Sequence, residues 1–587
     1  MVTSPAALAT TMNTFFLDKV TRLRSNIPRS NTDPLSKLRE YMEGRDSTMQ
    51  FRPVKPKEVL DIIKGLKNSK STGVDFIDTA VIKLVAIEIL PAVTHIVNIS
   101  LTQSEFPTIW KHAKVIPLLK KDDPLIPKNY RPVALLPILS KILEKVVFLQ
   151  LVEYLDQYKL LSPNHHGSRY SHNTATALIQ MYDHWLEGME DGQLVAVMMI
   201  DLSAAFDMVD HQLLLQKLRL FGLEEKVIKW MESYLQGRKQ SVFIDGFLSP
   251  PLNVEFGVPQ GSILGPLLYI LFTNDIPELV HSHPVSVKEP RPYCATCGST
   301  VCYVDDCTFS HGSKDPGQLS EELNNQYAKI SEYMMANKLV INDDKTQLVV
   351  VASRHARDLG DQVQLQAGNH LIKPSSNATL LGGVISNDAK WRQHIMGHNQ
   401  SLISQLTSRI NGLSLIASTA SFSTRLMVAN GIVISKLSYL IQLWGGCEDY
   451  LIRALQVVQT RSAKLVCKEP WYTPTRTLLS RCNWLSVRQL VSYQTAVMTH
   501  KIRQTGAPTY LGNIINAEFP YMTRQATTGG VRYSQDHQSR RALNHSSFRY
   551  RATVEYNRLP GTIREAATMQ TFKRKLRSWI KENVPLT

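Results

Sequence analysis

The sequence contains no uninterrupted apolar stretch of about 18 residues, so no membrane-crossing helix is expected. Met1 to Thr14 lacks a charged segment followed by an apolar run, the pattern of a secretory leader. Cysteine is scarce and odd in number, seven in 587 residues, which speaks against a disulfide framework and for a reducing intracellular compartment. Acidic residues fall short of basic ones, 50 against 66, and the net charge is +16. Such a surplus favours polyanions or anionic membranes as partners and says nothing about fold. It is unevenly spread: residues 521–587 hold 13 Lys or Arg and 4 Asp or Glu, a local charge of +9. That tail is either a solvated basic surface or a phosphate-contacting segment. There is no internal repeat and no low-complexity tract.

The chain has ordinary globular proportions, 43% hydrophobic and 20% charged, with length for two to four domains. Residues 1–50 are weakly patterned. A helix is predicted over 51–66, a polar loop over 67–78 and helices over 79–105. Val115 to Leu119 reads as a short strand, and residues 138–160 as an amphipathic helix. Leu194 to Ile200 is a continuous apolar run stopped abruptly by Asp201, which suggests a buried strand. Two helices fit 209–236, and a Gly-Pro-rich segment runs from Gly257 to Pro266. Tyr303-Val304 and Thr308-Phe309 flank Asp305-Asp306, the pattern of a tight hairpin with acids at its tip. Leu319, Leu323, Tyr327, Ile330 and Met334 make one helical stripe, and Leu348 to Val351 another strand. Beyond Trp391 the pattern is helical. The alternation over 110–385 predicts an α+β core.

An acid closing a buried strand is costly unless it is solvated or binds a cation. Adjacent acids between apolar residues repel each other and raise a pKa. A divalent ion relieves both penalties, and Mg²⁺ prefers a few carboxylates plus phosphate oxygens and water. Two such ions can stabilise the attacking and leaving oxygens of a phosphoryl displacement. Asp201 with Asp305 and Asp306 therefore suits nucleotidyl transfer, although an Asp-Asp pair alone is more often a solvated turn.

The combination is far more specific. Asp201-Leu202-Ser203-Ala204-Ala205-Phe206-Asp207 resembles the first catalytic motif of reverse transcriptases. Gly257-Val258-Pro259-Gln260-Gly261-Ser262-Ile263-Leu264-Gly265-Pro266 resembles the second, and Tyr303-Val304-Asp305-Asp306 the third. Asn342-Asp343-Asp344-Lys345-Thr346 and Leu380-Leu381-Gly382 look like the fourth and fifth. Asn129-Tyr130-Arg131-Pro132 and Gly167-Ser168-Arg169 look like fingers motifs. All seven stand in the family's order. Their wording is similar to the non-LTR, LINE-type group that contains jockey-like elements.

The resemblance implies a right-hand polymerase: residues 1–50 an N-terminal connector remnant, 51–385 fingers and palm, 386–470 a helical thumb, 471–587 a basic C-terminal region. It implies that Asp201 and Asp305 bind two Mg²⁺ ions, Mn²⁺ being the substitute, and that Asp306 completes the acidic cluster. Ala205 and Phe206 would lie beneath the incoming sugar, where an aromatic ring excludes a 2′-hydroxyl. Gln260 and Gly261 would line the nucleotide and template pocket. Arg131, with Lys120 or Lys121, would grip the triphosphate. Lys345 is a candidate proton donor to pyrophosphate. The implied partners are an RNA template, a DNA primer or target and dNTPs, with no membrane, and the implied compartment is the nucleus.

Val304 stands where many relatives of this type have Ala, and Gly-Ser-Arg lacks the usual aromatic before Arg169, which weakens a functional claim for that arginine. Cys294-Ala295-Thr296-Cys297, with His281 and His283 before it and Cys302 and Cys307 after, offers zinc ligands. Cys302 and Cys307 belong to the hairpin strands, so a structural zinc at Cys294 and Cys297 is not expected. No acidic pattern for an RNase H domain stands out, and no room for an upstream endonuclease precedes the fingers. A fragment of a longer reading frame is the expectation. The alternative to an active RNA-directed DNA polymerase is a catalytically inactive nucleic-acid-binding remnant; a host polymerase such as telomerase or an intron maturase is a third reading.

Overall fold

Leu194–Ile200 is apolar throughout because both its faces are covered. In a computed structural model it forms β3, the third strand in chain order, and side-chain alternation sends its residues to two different cores. Leu194, Ala196, Met198 and Ile200 join one core cluster, while Val195 and Val197 join another. Burying each large aliphatic side chain contributes about 1.5–3 kcal/mol. The structure describes residues 4–120, 123–280, 298–368, 370–397, 399–515 and 546–586. Lys121 and the Cys294-Cys297 segment, with His281 and His283, lie outside the described residues, as does much of the basic tail.

Two sheets organise the first two-thirds of the chain. β1 (His112–Leu119) pairs antiparallel with β2 (Tyr130–Leu135) and parallel with β4 (Arg238–Ile244). The short strands β5 (Phe247–Leu248) and β6 (Leu252–Val254) complete this five-stranded sheet on β4. β1 pairs with β4 only over His112–Val115; beyond that, the β1–β2 ribbon continues with Pro117 opposite Pro132. The second sheet has the order β7-β8-β3-β9 and is antiparallel throughout, with β7 Ser299–Tyr303, β8 Asp306–Ser313 and β9 Gln347–Val351. Two small hairpins follow, Leu365–Ala367 with His370–Ile372 and Asn377–Leu380 with Gly383–Ser386.

Helices cover both faces of the second sheet. Pro316–Ala336 starts on Asp315, whose side chain accepts from Gln318 N at 2.7 Å, with Pro316 at the first helical position. It buries the stripe Leu319, Leu323, Tyr327, Ile330 and Met334. Thr174–Glu190 covers the other face and is buried nearly all round, Trp185 completely. Residues 1–50 are more ordered than their weak pattern suggests. The helix Pro5–Ser25 lays Ala9, Met12 and Phe16 on Val115 and Val242 of the first sheet. At its far end Arg24 pairs with Asp210 at 2.7 Å.

The first core also contains an ion pair. Lys217 Nζ donates to Phe272 O at 2.7 Å and pairs with Asp275 at 3.1 Å, and Tyr333 OH donates to Asp275 at 2.6 Å. Neither charged side chain is exposed. The second core continues from β3 into the helical remainder of the chain: Trp391, Leu406, Trp444, Leu455, Leu490, Phe548 and Phe572 all belong to it. The helices Leu402–Ala417, Asp449–Cys467, Val487–Thr505 and Met569–Asn583 supply much of that packing.

Candidate active site

The acidic turn is made by the tightest connection two strands allow. Tyr303 faces Asp306 across β7 and β8, leaving Val304 and Asp305 as the two loop residues. Such loops need a positive φ, and Val304 adopts it at +60°. A β-branched residue there is strained by roughly 1–3 kcal/mol unless its surroundings hold it. The hold comes from residues 164–167. Cys302 N donates to Asn164 O at 2.9 Å, and His166 N donates to Cys302 O at 2.8 Å, so this segment runs along the open edge of β7. Gly167 then lies so close to the turn that an added Cβ would stand 2.4 Å from Val304 Cγ2 and 2.9 Å from Val304 N. Arg169 fastens the segment by donating to Ser162 O at 2.6 Å and His165 O at 3.0 Å. Its position is structural, in keeping with the weak functional claim its motif supports.

Asp201 follows β3 directly. Ile200 is registered opposite Cys307 of β8, so Asp201 emerges beside the Asp305-Asp306 turn. Its carbonyl accepts from Asn342 N at 2.8 Å, and its carboxylate accepts from Lys345 Nζ at 3.0 Å. Burial raises the Asp305 carboxyl above its ordinary range; the Asp201 charge adds to the rise, and Arg131 and Lys120 oppose it. Asp306 is solvent-accessible but set against the protein, and is held up at about 6, first by lost hydration and next by Asp305 and Asp201. The three carboxylates thus repel one another, and Arg131 and Lys120 act on the same cluster from the β1–β2 ribbon. There Arg131 faces Leu118, and Lys120 N donates to Asn129 O at 2.7 Å.

Among the described residues, no three His, Cys, Asp or Glu side chains already converge as a finished ligand set. Asp201 is instead turned to Lys345. The donor chemistry still suits a hard cation: three carboxylates at adjoining strand ends, two with elevated pKa values.

The Gly-Pro-rich loop is fastened to the strand-end segment by backbone. Gly257 N donates to Val209 O at 2.8 Å, and Val258 N to Phe206 O at 2.9 Å. Gly257 has φ +83°, and a Cβ on it would meet Asp207 Cα at 2.6 Å. Gln260 Nε2 donates to Asp207 Oδ1 at 2.8 Å, while Gln260 O accepts from Ala134 N of β2 at 3.0 Å. Gly261 has φ +111°, and its Cβ would lie 2.4 Å from Ala134 O. The loop therefore joins the ribbon carrying Arg131 to the segment carrying Asp201. Phe206 stacks on Tyr269, centroids 4.7 Å apart, and keeps one part-exposed face. Ala205 is buried in the core behind it.

Two residues of this site escaped the sequence reading. Glu144, fully buried, accepts from Ile263 N at 2.8 Å and Leu264 N at 3.3 Å, so a carboxylate anchors the loop from below. Burial raises its pKa. Asp207 orients Gln260, and burial pushes its pKa up to about 6. A lone Glu among Ile142, Leu143, Val146 and Val147 was the available signal for the first; the last letter of the first motif was the signal for the second.

Residues 118–385 match the family of reverse transcriptases, described as RNA-dependent DNA polymerase. The chain carries a reverse transcriptase domain, with the polymerase palm fold that this family implies. Its curated relatives include RNA-directed DNA polymerases from transposons and mobile elements. It is 26% identical over 474 residues to the probable RNA-directed DNA polymerase from transposon BS of Drosophila melanogaster, covering 79% of this chain and 51% of that protein. It is 27% identical over 425 residues to the RNA-directed DNA polymerase from mobile element jockey of Drosophila funebris, covering 72% and 45%. A similar match, 26% over 461 residues, joins it to the probable RNA-directed DNA polymerase from transposon X-element of Drosophila melanogaster, covering 76% and 48%. The chain spans about half the length of the curated relatives it matches.

Proposed function

We propose that this chain is an RNA-directed DNA polymerase that extends a DNA primer 3′-hydroxyl along an RNA template. The observation that carries the reading is the juxtaposition of Asp201 with Asp305 and Asp306 at adjoining strand ends, two of the three carboxyls held above their ordinary range. In this reading residues 51–385 are fingers and palm, 386–470 the thumb and 471–587 a basic C-terminal region that shares the thumb's core. Residues 1–50 are the connector, here a helix braced on the fingers sheet. Mg²⁺ bound by Asp201, Asp305 and Asp306 would neutralise charge on the attacking and leaving oxygens. Arg131 and Lys120 receive the triphosphate, as their field at Asp305 suggests. Gln260, oriented by Asp207, and Gly261 hold the base pair's side of the pocket. Phe206, backed by Tyr269 and Ala205, presents a ring to the sugar. Lys345, hydrogen-bonded to Asp201 at 3.0 Å, would supply the proton to pyrophosphate. Catalysis is then positioning and charge neutralisation. The DNA target of such an enzyme places its work in the nucleus.

Primer extension on poly(rA)/oligo(dT) tests this. The expected result is Mg²⁺-dependent synthesis that disappears in Asp305→Ala while template binding survives. Template binding without synthesis by the unaltered chain would instead identify a catalytically inactive remnant.

A further inference from the structure

The helix Asp449–Cys467 ends at Lys468, which takes a left-handed φ of +54°. The chain then passes through Glu469-Pro470-Trp471-Tyr472-Thr473-Pro474 before the helix Thr475–Arg481 begins. Trp471 is 82% exposed and Tyr472 71%. Their rings meet edge to face, centroids 5.9 Å apart and 83° between planes. Two aromatics of this size would each bury about 150–250 Å² in a core or interface; here they stand in water on a loop stiffened by two prolines. The tip is fixed from beneath: Lys464 Nζ donates to Trp471 O.

Beside the tip lies a groove of about 410 Å³ whose walls include Ser418, Arg461, Lys464, Lys468 and one acid, Glu469. Arg461 donates to Asn411 Oδ1 at 3.1 Å, and Lys468 to Ser418 O at 2.9 Å. Among the described residues, Arg461, Lys464 and Lys468 give their hydrogen bonds to neutral oxygens. From Arg461 to Arg481 there are five Lys or Arg and a single acid, Glu469, which is paired with Arg481. An apolar protein partner would strip water from three cations and give them no counter-charge. A polynucleotide satisfies both halves: phosphates for the groove and base faces for the rings. Only unpaired bases can offer those faces, so the occupant is a single strand, and stacking makes the site tolerant of sequence.

We propose that the Trp471-Tyr472 tip and the adjoining Arg461-Lys464-Lys468 groove bind single-stranded nucleic acid, outside the cluster built on Arg131, Asp201, Gln260 and Asp305. The proposal shares with the polymerase reading only the need for a nucleic acid. It is tested on the full chain without dNTPs, by fluorescence anisotropy with a labelled single strand of roughly 16 nucleotides. The RNA and DNA forms of that strand, and an RNA–DNA duplex, are separate arms. In Trp471→Ala/Tyr472→Ala, single-strand affinity should fall about 10-fold or more, with duplex affinity and salt dependence unchanged. Trp471→Phe should keep most of the affinity, which separates a lost stacking face from a misfolded loop. Arg461→Gln/Lys464→Gln should flatten the salt dependence. The larger loss, on RNA or on DNA, identifies which strand the site holds. Unchanged single-strand affinity in the aromatic variant, or an equal loss on duplex, overturns the proposal; the first result would return the tip to a protein partner. Primer extension by the same preparations keeps the two readings apart, because an inactive cleft leaves the binding result intact.

Discussion

Gly167→Ala is the sharpest perturbation of the catalytic turn that avoids the carboxylates. The new methyl would stand 2.4 Å from Val304 Cγ2 and 2.9 Å from Val304 N, so Val304 or residues 164–167 must move. Gly167 itself has no left-handed φ, and the cost is therefore crowding alone. Overpacking of this kind costs roughly 1–3 kcal/mol. Val304 is the softer partner because it is already at φ +60° on a two-residue loop. A displacement of the turn carries Asp305 and Asp306 with it, and an error of about 1 Å at a reacting centre can cost about 100-fold in rate. Primer extension should fall by about that factor in Gly167→Ala, with urea unfolding showing the smaller stability loss. Val304→Ala removes the 2.4 Å contact and leaves the 2.9 Å one, so the double variant should recover part of the rate. The coupling should lie at about 0.5–3 kcal/mol. Full activity in Gly167→Ala, or no recovery in the double variant, would refute the packing argument.

Phe206→Ala should raise incorporation of rNTPs relative to dNTPs, measured by single-nucleotide extension; unchanged discrimination would remove Phe206 as the sugar gate. Lys217→Met leaves Asp275 buried with its Tyr333 hydrogen bond but without a counter-charge, and should cost about 3–5 kcal/mol in urea unfolding, while Lys217→Met/Asp275→Leu should regain most of it; a loss below about 1 kcal/mol in the single variant would contradict the pairing. Asp306 has a folded pKa of about 6 against an ordinary 3.8, so its contribution to stability is fully present below the ordinary value and lost as pH rises through about 6. Without divalent ions, Asp306→Asn should therefore narrow the stability gap between acid and neutral pH, and Mg²⁺ should stabilise the unaltered protein more above pH 6 than below pH 4. Thermal melts across pH, with and without Mg²⁺, check both, and a pH-independent Mg²⁺ effect would sink the assignment.

The elements with one clean period were legible. Leu194–Ile200 stood out because seven apolar residues end on an acid, and Pro316–Ala336 because its stripe recurs every three or four residues. Asp305-Asp306 could be placed on a turn, yet nothing in the letters announced that Val304 would take a positive φ or that Gly167 would sit against it. Thr174–Glu190 escaped because burial on nearly every side erases a stripe. Arg238–Ile244 escaped because its first half, Arg-Lys-Gln-Ser, reads as surface. Pro5–Ser25 has a weak apolar face, although Ser4 before Pro5 is a helix-start signal, and Ser4 Oγ does accept from Ala7 N at 3.3 Å. For the site, motif order named the residues but not their partners. That Gln260 is held by Asp207, that Glu144 secures Ile263 and Leu264, and that Lys345 occupies Asp201 are contacts across 53, 119 and 144 residues, and no local pattern encodes them.

Pro117 and Pro132 are opposed on the ribbon of β1 and β2 in a rung whose N–H groups would face outward, as that of Ala134 does toward Gln260, so the donors they lack are missing from the ribbon's margins. Beyond Val115 the ribbon has also left β4 behind. A stray strand seeking to zip onto this margin would find donors missing, which guards the margin against aggregation.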